Sequence, residues 1–289
     1  MEINYHRNEI DIMSRMLFSD LGPTCYKISV VKERTKRNIK DALSSDKFAK
    51  NTFNNKELPV IIKSHTSLIL RKLHGVDMKL QENKVTNIEL ACKKINGIII
   101  HPNEVFSFWR TVGPTTKKEG YKEGLVIAKR GKLSKGYGGG LCQMANMIHW
   151  LVLNSSLEVV ELHHHTDALF PDERRKVPFG TGTSVVYNYV DYRFRNNTDS
   201  DIQILVWVEN NELCGELRSD KELPYRYKLI EENNHYRKEG DKYYRISQVY
   251  RIVIDKKTNK EIDKELILDN HSLVMYDYNL IPKDEIRND

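Results

Sequence analysis

Two short stretches of the chain combine residue types that can perform nucleophilic or metal chemistry. The first reads GYGGGLCQMANMIHW from Gly136 to Trp150, and the second reads LHHHTD from Leu162 to Asp167. A cysteine beside glycines, together with several histidines, is typical of cysteine acyl-transfer sites and also of some zinc sites. The two stretches are therefore compatible with both kinds of chemistry.

Cys142 follows Gly138, Gly139 and Gly140 at the predicted start of a helix. Glycines permit positive φ angles and the close approach of another group to the backbone. The first turn of a helix stabilises a thiolate, so the pattern predicts a lowered pKa for the Cys142 thiol. Backbone N–H groups after Gly140, or the Gln143 side chain, could hold an oxyanion. The same glycines could equally form an anion-binding loop, or a tight turn around a buried cysteine.

Histidines after the predicted helix are the candidate bases for Cys142. In a strand, His163 and His165 share one face and His164 points to the other. His149 lies on the same helical face as Cys142, but seven residues span about 10 Å along the axis. That separation is too long for a direct hydrogen bond, so His163 and His165 are the better candidates.

The candidate orienting carboxylate is Asp191, in the segment YNYVDYRFRN, with Asp167 as an alternative nearer in sequence. A cysteine on a helix, a histidine on a strand and an aspartate on the next strand is the order in several cysteine acyl-transfer enzymes. This comparison is an analogy of layout.

A metal site is the second chemical interpretation of the same residues. His163, His165 and Asp167 would face one side of a strand, and Cys142 could supply a soft fourth ligand for zinc. Metallohydrolases with a His-x-His-x-Asp motif usually continue with a further histidine, whereas Ala168 follows here. We therefore expect no metal and no other cofactor.

Composition favours a globular protein without nucleic-acid partners. Lys and Arg number 46 against 40 Asp and Glu, which gives a net charge of +6. This mild excess permits contact with an anionic membrane surface but does not require nucleic acid. The basic segment KERTKRNIK (32–40) is interpreted as a solvated helix face.

No secretory signal is visible in MEINYHRNEIDIMSRMLF, and no run approaches the roughly 18 apolar residues that cross a bilayer. We therefore expect a cytoplasmic protein. The four cysteines lie far apart and form no CxxC pair, which argues against a disulfide framework or a structural zinc site.

Hydrophobic patterning predicts an α+β fold, in which a central helix starts at the glycine-rich turn and packs on a mostly antiparallel sheet. A short helix should end at Asn96-Gly97, and the central helix should run from about 141 to 154 with a buried stripe. Strand patterns follow, including TSVVYNYVDYRFRN, IQILVWVEN and ELCGELRSD. We expect a helical extension at 1–80, a main domain at 81–220 and a β-rich extension at 221–289 packing on it.

The segments EVFSFW, GGGLCQ and VDYRFRN, in this order, resemble the VanW family, named for an accessory protein of glycopeptide-resistance clusters. The resemblance covers roughly Lys84 to Val208. The family's motif positions correspond here to Phe106, Ser107, Phe108, Gly138, Gly139, Gly140, Cys142, Gln143 and Asp191, with a His-x-His pair at His163 and His165. Gly182-Thr183 stands where many longer members have an Asp-Ala pair.

The resemblance implies a connection with the bacterial envelope and with vancomycin-type resistance, but no established reaction. The first hypothesis is a cysteine-dependent hydrolase or acyl transferase acting on an envelope-related amide or ester. The second is a non-catalytic module that binds an anionic cell-wall precursor or another small molecule at the glycine loop. In that module Phe106, Ser107, Phe108 and Trp109 would line an apolar wall.

Overall fold

The protein is described by a computed structural model that covers residues 17–50, 52–53, 56–70, 78–127, 133–164, 167–168, 171 and 177–287. By backbone contacts the chain divides into two compact units, Met1–Ser45 and Asp46–Asp289. The first unit contains helix α1, which begins at Pro23, a residue suited to the first helical position. The basic segment 32–40 lies within this helix.

The helices of the described residues are α1 (Pro23–Leu43), α2 (Met78–Ile95), α3 (Phe108–Val112) and α4 (Leu141–Leu153). The strands are β1 (Lys47–Phe48), β2 (Val60–Leu68), β3 (Ile98–Ile100), β4 (Glu104–Ser107), β5 (Glu123–Ile127), β6 (Leu133–Tyr137), β7 (Glu158–Glu161), β8 (Asp167–Ala168), β9 (Arg193–Arg195), β10 (Ile202–Glu209), β11 (Glu212–Ser219), β12 (Tyr225–Glu239), β13 (Lys242–Asp255), β14 (Glu261–Val274) and β15 (Ile286–Arg287).

Helix α2 ends where the sequence predicts. Ile88 and Ile95 on its apolar face are fully buried, and Gly97 takes a φ of +86° just beyond the last turn. Glycine is favoured at this position because a side chain would be strained there. The predicted helix is therefore confirmed, although it starts earlier than the pattern indicated.

Helix α4 is the central helix of the fold, and its predicted apolar stripe is buried. It packs over β11 at Gly215, where an added Cβ would lie 2.9 Å from Met147 of the helix. Because Gly215 has no side chain, Met147 and Leu151 can approach the sheet closely. Helix α4 thus packs on a sheet with the strand order β2-β11-β10-β3, in which all pairs are antiparallel. The predicted α+β class is confirmed.

The β10–β11 hairpin turns at Asn210 and Asn211, both with positive φ angles of 49° and 64°. Two left-handed residues match the twist of a tight hairpin, and asparagine tolerates that conformation well. The two predicted strands at this position are confirmed.

A second sheet has the order β1-β4-β9-β7. Here the prediction of one strand through TSVVYNYVDYRFRN is wrong, because only β9 is extended in a ladder. Asn188 has a φ of +63°, and Val186 pairs with Val190 across a tight turn. The turn separates the segment before Asn188 from β9, so residues on its two sides can have different neighbours.

A third sheet contains β12, β13 and β14, with short parallel pairings of β15 and β8 at its edges. The region predicted as a helical extension also supplies strands, since β1 pairs with β4 and β2 pairs with β11. The boundaries at residues 80 and 220 stay predictions.

In the part of the chain that the structure describes, no helix has the length and apolar character needed to cross a bilayer. The cytoplasmic location stays a prediction.

Candidate functional site

The glycine run forms a tight turn directly before α4. Gly138 and Gly140 have φ angles of +77° and +97°, which residues with side chains rarely adopt. Gly140 is the residue that precedes the first turn of the helix. The backbone conformation therefore accounts for two of the three glycines.

Atoms of the protein itself occupy the space beside all three glycines. A Cβ at Gly138 would lie 2.6 Å from Thr115, a Cβ at Gly139 would collide with the backbone of Gly124, and a Cβ at Gly140 would collide with the Lys84 side chain. The close approach that the glycines permit is thus made by neighbouring chain segments. A ligand-binding role for these glycines stays a prediction, and their packing gives a sufficient reason for them.

Asn87 of α2 ties this turn to the preceding segment. Its side-chain amide donates to the carbonyl oxygens of Gly139 (2.9 Å) and Lys122 (3.0 Å), and its Oδ1 accepts from the Lys122 N–H (2.8 Å). Asn87 is fully buried, so these bonds satisfy polar groups that water cannot reach. The start of α4 is therefore held in one position.

Cys142 lies in the first turn of α4, and its thiol contacts the carbonyl oxygen of Val185 at 3.8 Å. Burial raises the pKa of this thiol above its usual range, and the opposing effects of the Val185 contact and of Lys84 are smaller. The direction is opposite to the lowering predicted from the helix terminus. The described surroundings therefore keep Cys142 as a thiol at neutral pH.

Asn146 lies one turn after Cys142 on the same face of α4. Its Oδ1 accepts a hydrogen bond of 2.7 Å from the N–H of Thr183. Cys142 and Asn146 consequently contact one extended segment, Thr183–Val185, at successive points. Spacing by four residues on a helix places Asn146 on the face of Cys142 from the sequence alone, but no local pattern indicates the contact with Thr183–Val185.

His163, just after β7, reaches the same segment. Its carbonyl oxygen accepts from the Ser184 N–H at 2.7 Å, and its own N–H contacts the Thr183 hydroxyl at 3.5 Å. The imidazole is 40% exposed, and its Nε2 lies 3.0 Å from a carboxylate oxygen of Glu161. The structure thus brings Cys142 and His163 to adjacent residues of one segment. The other candidate base, His165, lies outside the described residues.

His164, the next residue along the chain, is partly buried. Its Nδ1 lies 3.3 Å from the Gly180 carbonyl oxygen, and burial lowers its pKa. Burial lowers the pKa of His149 to about 3. His149 contacts the Tyr192 hydroxyl at 3.2 Å. Both imidazoles are therefore neutral at physiological pH, which excludes a role as permanent cations.

Asp191 holds backbone and side-chain donors around the start of α3. Its Oδ2 accepts from the Ser107 hydroxyl (2.6 Å) and from Arg193 Nε (2.7 Å). Its Oδ1 accepts from the N–H groups of Trp109 (3.0 Å) and Tyr192 (2.9 Å). Four donors thus surround a carboxylate that is 1% exposed. Among the described residues its carboxylate bonds go to these groups; because His165 lies outside the described residues, the predicted orienting role of Asp191 stays a prediction.

The predicted apolar wall belongs to the core. Phe106 and Phe108 are fully buried, and Trp109 is 4% exposed. Phe106 stacks on Phe194 with ring centres 5.1 Å apart, and Ser107 caps α3 by accepting from the Arg110 N–H. Because these side chains are enclosed by protein, they offer no surface to a ligand.

Gln143 connects α4 to the end of β2. Its amide nitrogen donates to the Ser67 hydroxyl (2.8 Å) and to the Leu68 carbonyl oxygen (3.0 Å). These bonds occupy the group that was predicted to hold an oxyanion. A structural role for Gln143 follows from them, and its Oε1 is buried without a partner among the described residues.

Within the described ranges, no group of three or more His, Cys, Asp or Glu side chains could hold a metal ion. Asp167 lies in β8, paired with Leu273 of β14, and His165 is outside those ranges. The alternative zinc site of His163, His165 and Asp167 therefore stays a prediction.

Replacing Gly139 by alanine should destabilise the fold. The added methyl group would collide with the Gly124 backbone, which cannot move as a flexible side chain can. We expect a loss of about 1–3 kcal/mol in the free energy of unfolding, measured by urea titration. Gly182→Ala is the matched control, because its Cβ would lie 3.4 Å from Asn146 and should be accommodated. Equal stability of the two variants would contradict this packing account.

Replacing Asp191 by asparagine should lower the free energy of unfolding by about 3 kcal/mol, the lower end of the cost of breaking a buried ion pair, because Arg193 would lose the nearer of its two carboxylate partners and keep Glu161 at 3.6 Å. Urea titration checks this value. Asp199→Asn is the control, since the Asp199 side chain is 89% exposed and should tolerate the change. A fully stable Asp191→Asn protein would show that the buried pair is not a structural requirement.

Sequence similarity to known proteins shows the family of this chain. The family described as VanW like protein matches residues 83–218. The chain is 33% identical over 225 residues to the vancomycin B-type resistance protein VanW of Enterococcus faecalis, spanning 78% of this chain and 82% of that protein. It is 36% identical over 118 residues to the uncharacterized protein YoaR of Bacillus subtilis, spanning 41% of this chain and 37% of that protein. No solved structure matches. The chain belongs to the VanW family.

Proposed function

We propose that the protein is a cysteine-dependent hydrolase or acyl transferase with Cys142 as nucleophile and His163 as base. The observation that carries the proposal is that both residues contact Thr183–Val185, Cys142 through its thiol and His163 through its backbone N–H and carbonyl oxygen. Acyl transfer requires a nucleophile and a base that can take its proton. His165 stays an alternative base.

The raised pKa of Cys142 determines how such a reaction would run. Because the resting group is a thiol, its proton must move to His163 as Sγ attacks the carbonyl carbon of the substrate. The C–N or C–O bond then breaks, and the proton passes from His163 to the leaving amine or alcohol. Water or an acceptor nucleophile cleaves the thioester and returns a proton to Cys142 through His163.

The oxyanion of this reaction needs hydrogen-bond donors near Sγ. Gln143 is a poor candidate because its amide is bonded to Ser67 and Leu68. We assign the role to the backbone N–H of Cys142, which lies in the first turn of α4 where N–H groups lack helical partners. This assignment keeps the predicted backbone donor and replaces the predicted side-chain donor.

For the biological role, we propose that the chain acts in glycopeptide resistance on an amide or ester of a cell-envelope precursor. The support is its similarity to a protein named for vancomycin B-type resistance. A precursor on the cytoplasmic side is consistent with the proposed cytoplasmic location. The second hypothesis, a binding module for an anionic precursor, has less support because protein atoms fill the space beside Gly138–Gly140.

Incubation with p-nitrophenyl acetate should place an acetyl group on Cys142, detected by peptide mass spectrometry. Cys142→Ser should abolish this adduct. His163→Ala should lower the rate by about a hundredfold or more at neutral pH. Its residual rate should rise with pH, because the thiol then reacts only through the small thiolate fraction that a raised pKa allows.

His101→Ala is the matched control for His163→Ala. His101 is also a half-exposed histidine paired with a carboxylate, at 2.7 Å from Asp201. It should leave the acetylation rate unchanged. If wild type and His163→Ala acetylate at the same rate, the assigned base is wrong. If Cys142 never forms the adduct while the protein binds precursor, the binding module is the better account.

The resistance role is tested by complementation of an Enterococcus faecalis strain that lacks its VanW protein. Where deletion lowers the vancomycin concentration that inhibits growth, expression of this chain should return that concentration to the wild-type value. Expression of the Cys142→Ala variant should not, because the nucleophile is lost. Cys25→Ala is the control, since Cys25 lies outside the family-matched residues 83–218. Full restoration by Cys142→Ala at equal protein levels would rule out a catalytic thiol in resistance.

A further inference from the structure

Glu161, the last residue of β7, contacts three groups of the candidate site. Its Oε1 lies 3.0 Å from Nε2 of His163 and accepts a 3.2 Å hydrogen bond from the Asp191 N–H. Its Oε2 lies 3.6 Å from Nε of Arg193. The side chain is 15% exposed. Glu161 therefore joins the half-exposed histidine to the buried pair of Asp191 and Arg193.

Arg193 lies between two carboxylates. Its Nε is 2.7 Å from Asp191 and 3.6 Å from Glu161, and its side chain is 6% exposed. The strand register places Glu161 and Arg193 directly opposite each other on β7 and β9. The guanidinium also lies over the Phe48 ring, 5.0 Å from its centre. These contacts restrict the positions that Arg193, and through it Glu161, can take.

We propose that Glu161 is the positioning residue for His163, and that Asp191 acts on His163 through Glu161, both by its own N–H and by way of Arg193. This inference deepens the proposed function and rests on it for its catalytic meaning. It replaces the direct Asp191–histidine contact that the sequence predicts. It also gives Asp191 a place in the site, although the four described donors to its carboxylate do not include a histidine.

The contact between the Glu161 carboxylate and the His163 imidazole determines which ring nitrogen of His163 carries the hydrogen. An ionised carboxylate can only accept hydrogen bonds, so Nε2 of His163 must carry the hydrogen. In neutral His163 the lone pair then lies on Nδ1, which is the atom that would take the Cys142 proton. When Nδ1 is protonated, Glu161 stabilises the imidazolium through the same contact. The carboxylate thus fixes the ring in the form a base requires.

The other titratable groups that the structure describes around His163 do not offer the same contact. His164 is adjacent but points to Gly180, and its lowered pKa keeps it neutral. Asp191 and Arg193 reach His163 through Glu161. Among these described neighbours, Glu161 is the one that lies within hydrogen-bonding distance of the imidazole, at 3.0 Å.

The experiment is nitrogen NMR on the full-length protein with isotope-labelled histidine, which reports the tautomer of neutral His163. We expect the Nε2–H form in wild type. Glu161→Ala should mix the two tautomers, whereas Glu161→Gln should retain the Nε2–H form, because its amide oxygen can still accept. Glu158→Ala is the matched control on the same strand, since Glu158 is 56% exposed and pairs with Arg195.

Acetylation of Cys142 is the second readout, and Glu161→Ala should lower its rate by at least about tenfold, with partial recovery in Glu161→Gln. An unchanged His163 tautomer in folded Glu161→Ala, or the same change in Glu158→Ala, would overturn the assignment. A wild-type Cys142 that does not react, together with a tautomer that depends on Glu161, would refute the proposed function and leave the positioning contact standing.

Discussion

The buried carboxylate of Asp191 is the constraint on which the arrangement of the site depends. Burying a charge is costly unless it is paired and hydrogen-bonded, and Asp191 receives four donors from β4, α3, β9 and its own neighbour. These bonds hold the start of α3 against β9. Because β9 is also paired with β7, the same carboxylate determines where the residues after β7 emerge.

The glycine turn before α4 imposes a second constraint of a different kind. It lets α4 begin against segments from α2 and from the β5–β6 hairpin, where any side chain at Gly139 would collide with backbone. Asn87 then fixes the turn with buried hydrogen bonds. The polar face of α4, with Cys142 and Asn146, is consequently presented to Thr183–Val185.

The two constraints meet at Thr183–Val185, which receives Cys142 and Asn146 from α4 and His163 from the end of β7. The site therefore combines a nucleophile candidate that is desolvated with a base candidate that is half exposed and paired with Glu161. A buried thiol combined with a half-exposed imidazole suits a reaction in which the Cys142 proton moves to His163 only when substrate is bound. It also explains why the thiol would be unreactive at rest.

By itself, the sequence determined the features that depend on local backbone preference and on periodicity. These include the end of α2 at Ile95, the apolar stripe of α4, the glycine turn and the β10–β11 hairpin, as well as family membership. Tertiary structure alone decided the pKa direction of Cys142, the partner of His163 and the burial of Phe106 and Phe108. The reason is that desolvation and hydrogen-bond partners come from residues distant in the chain, which no local pattern contains. Even local structure was not always predictable from composition. The segment TSVVYNYVDYRFRN has the composition of a single strand, but the left-handed conformation of Asn188 divides it.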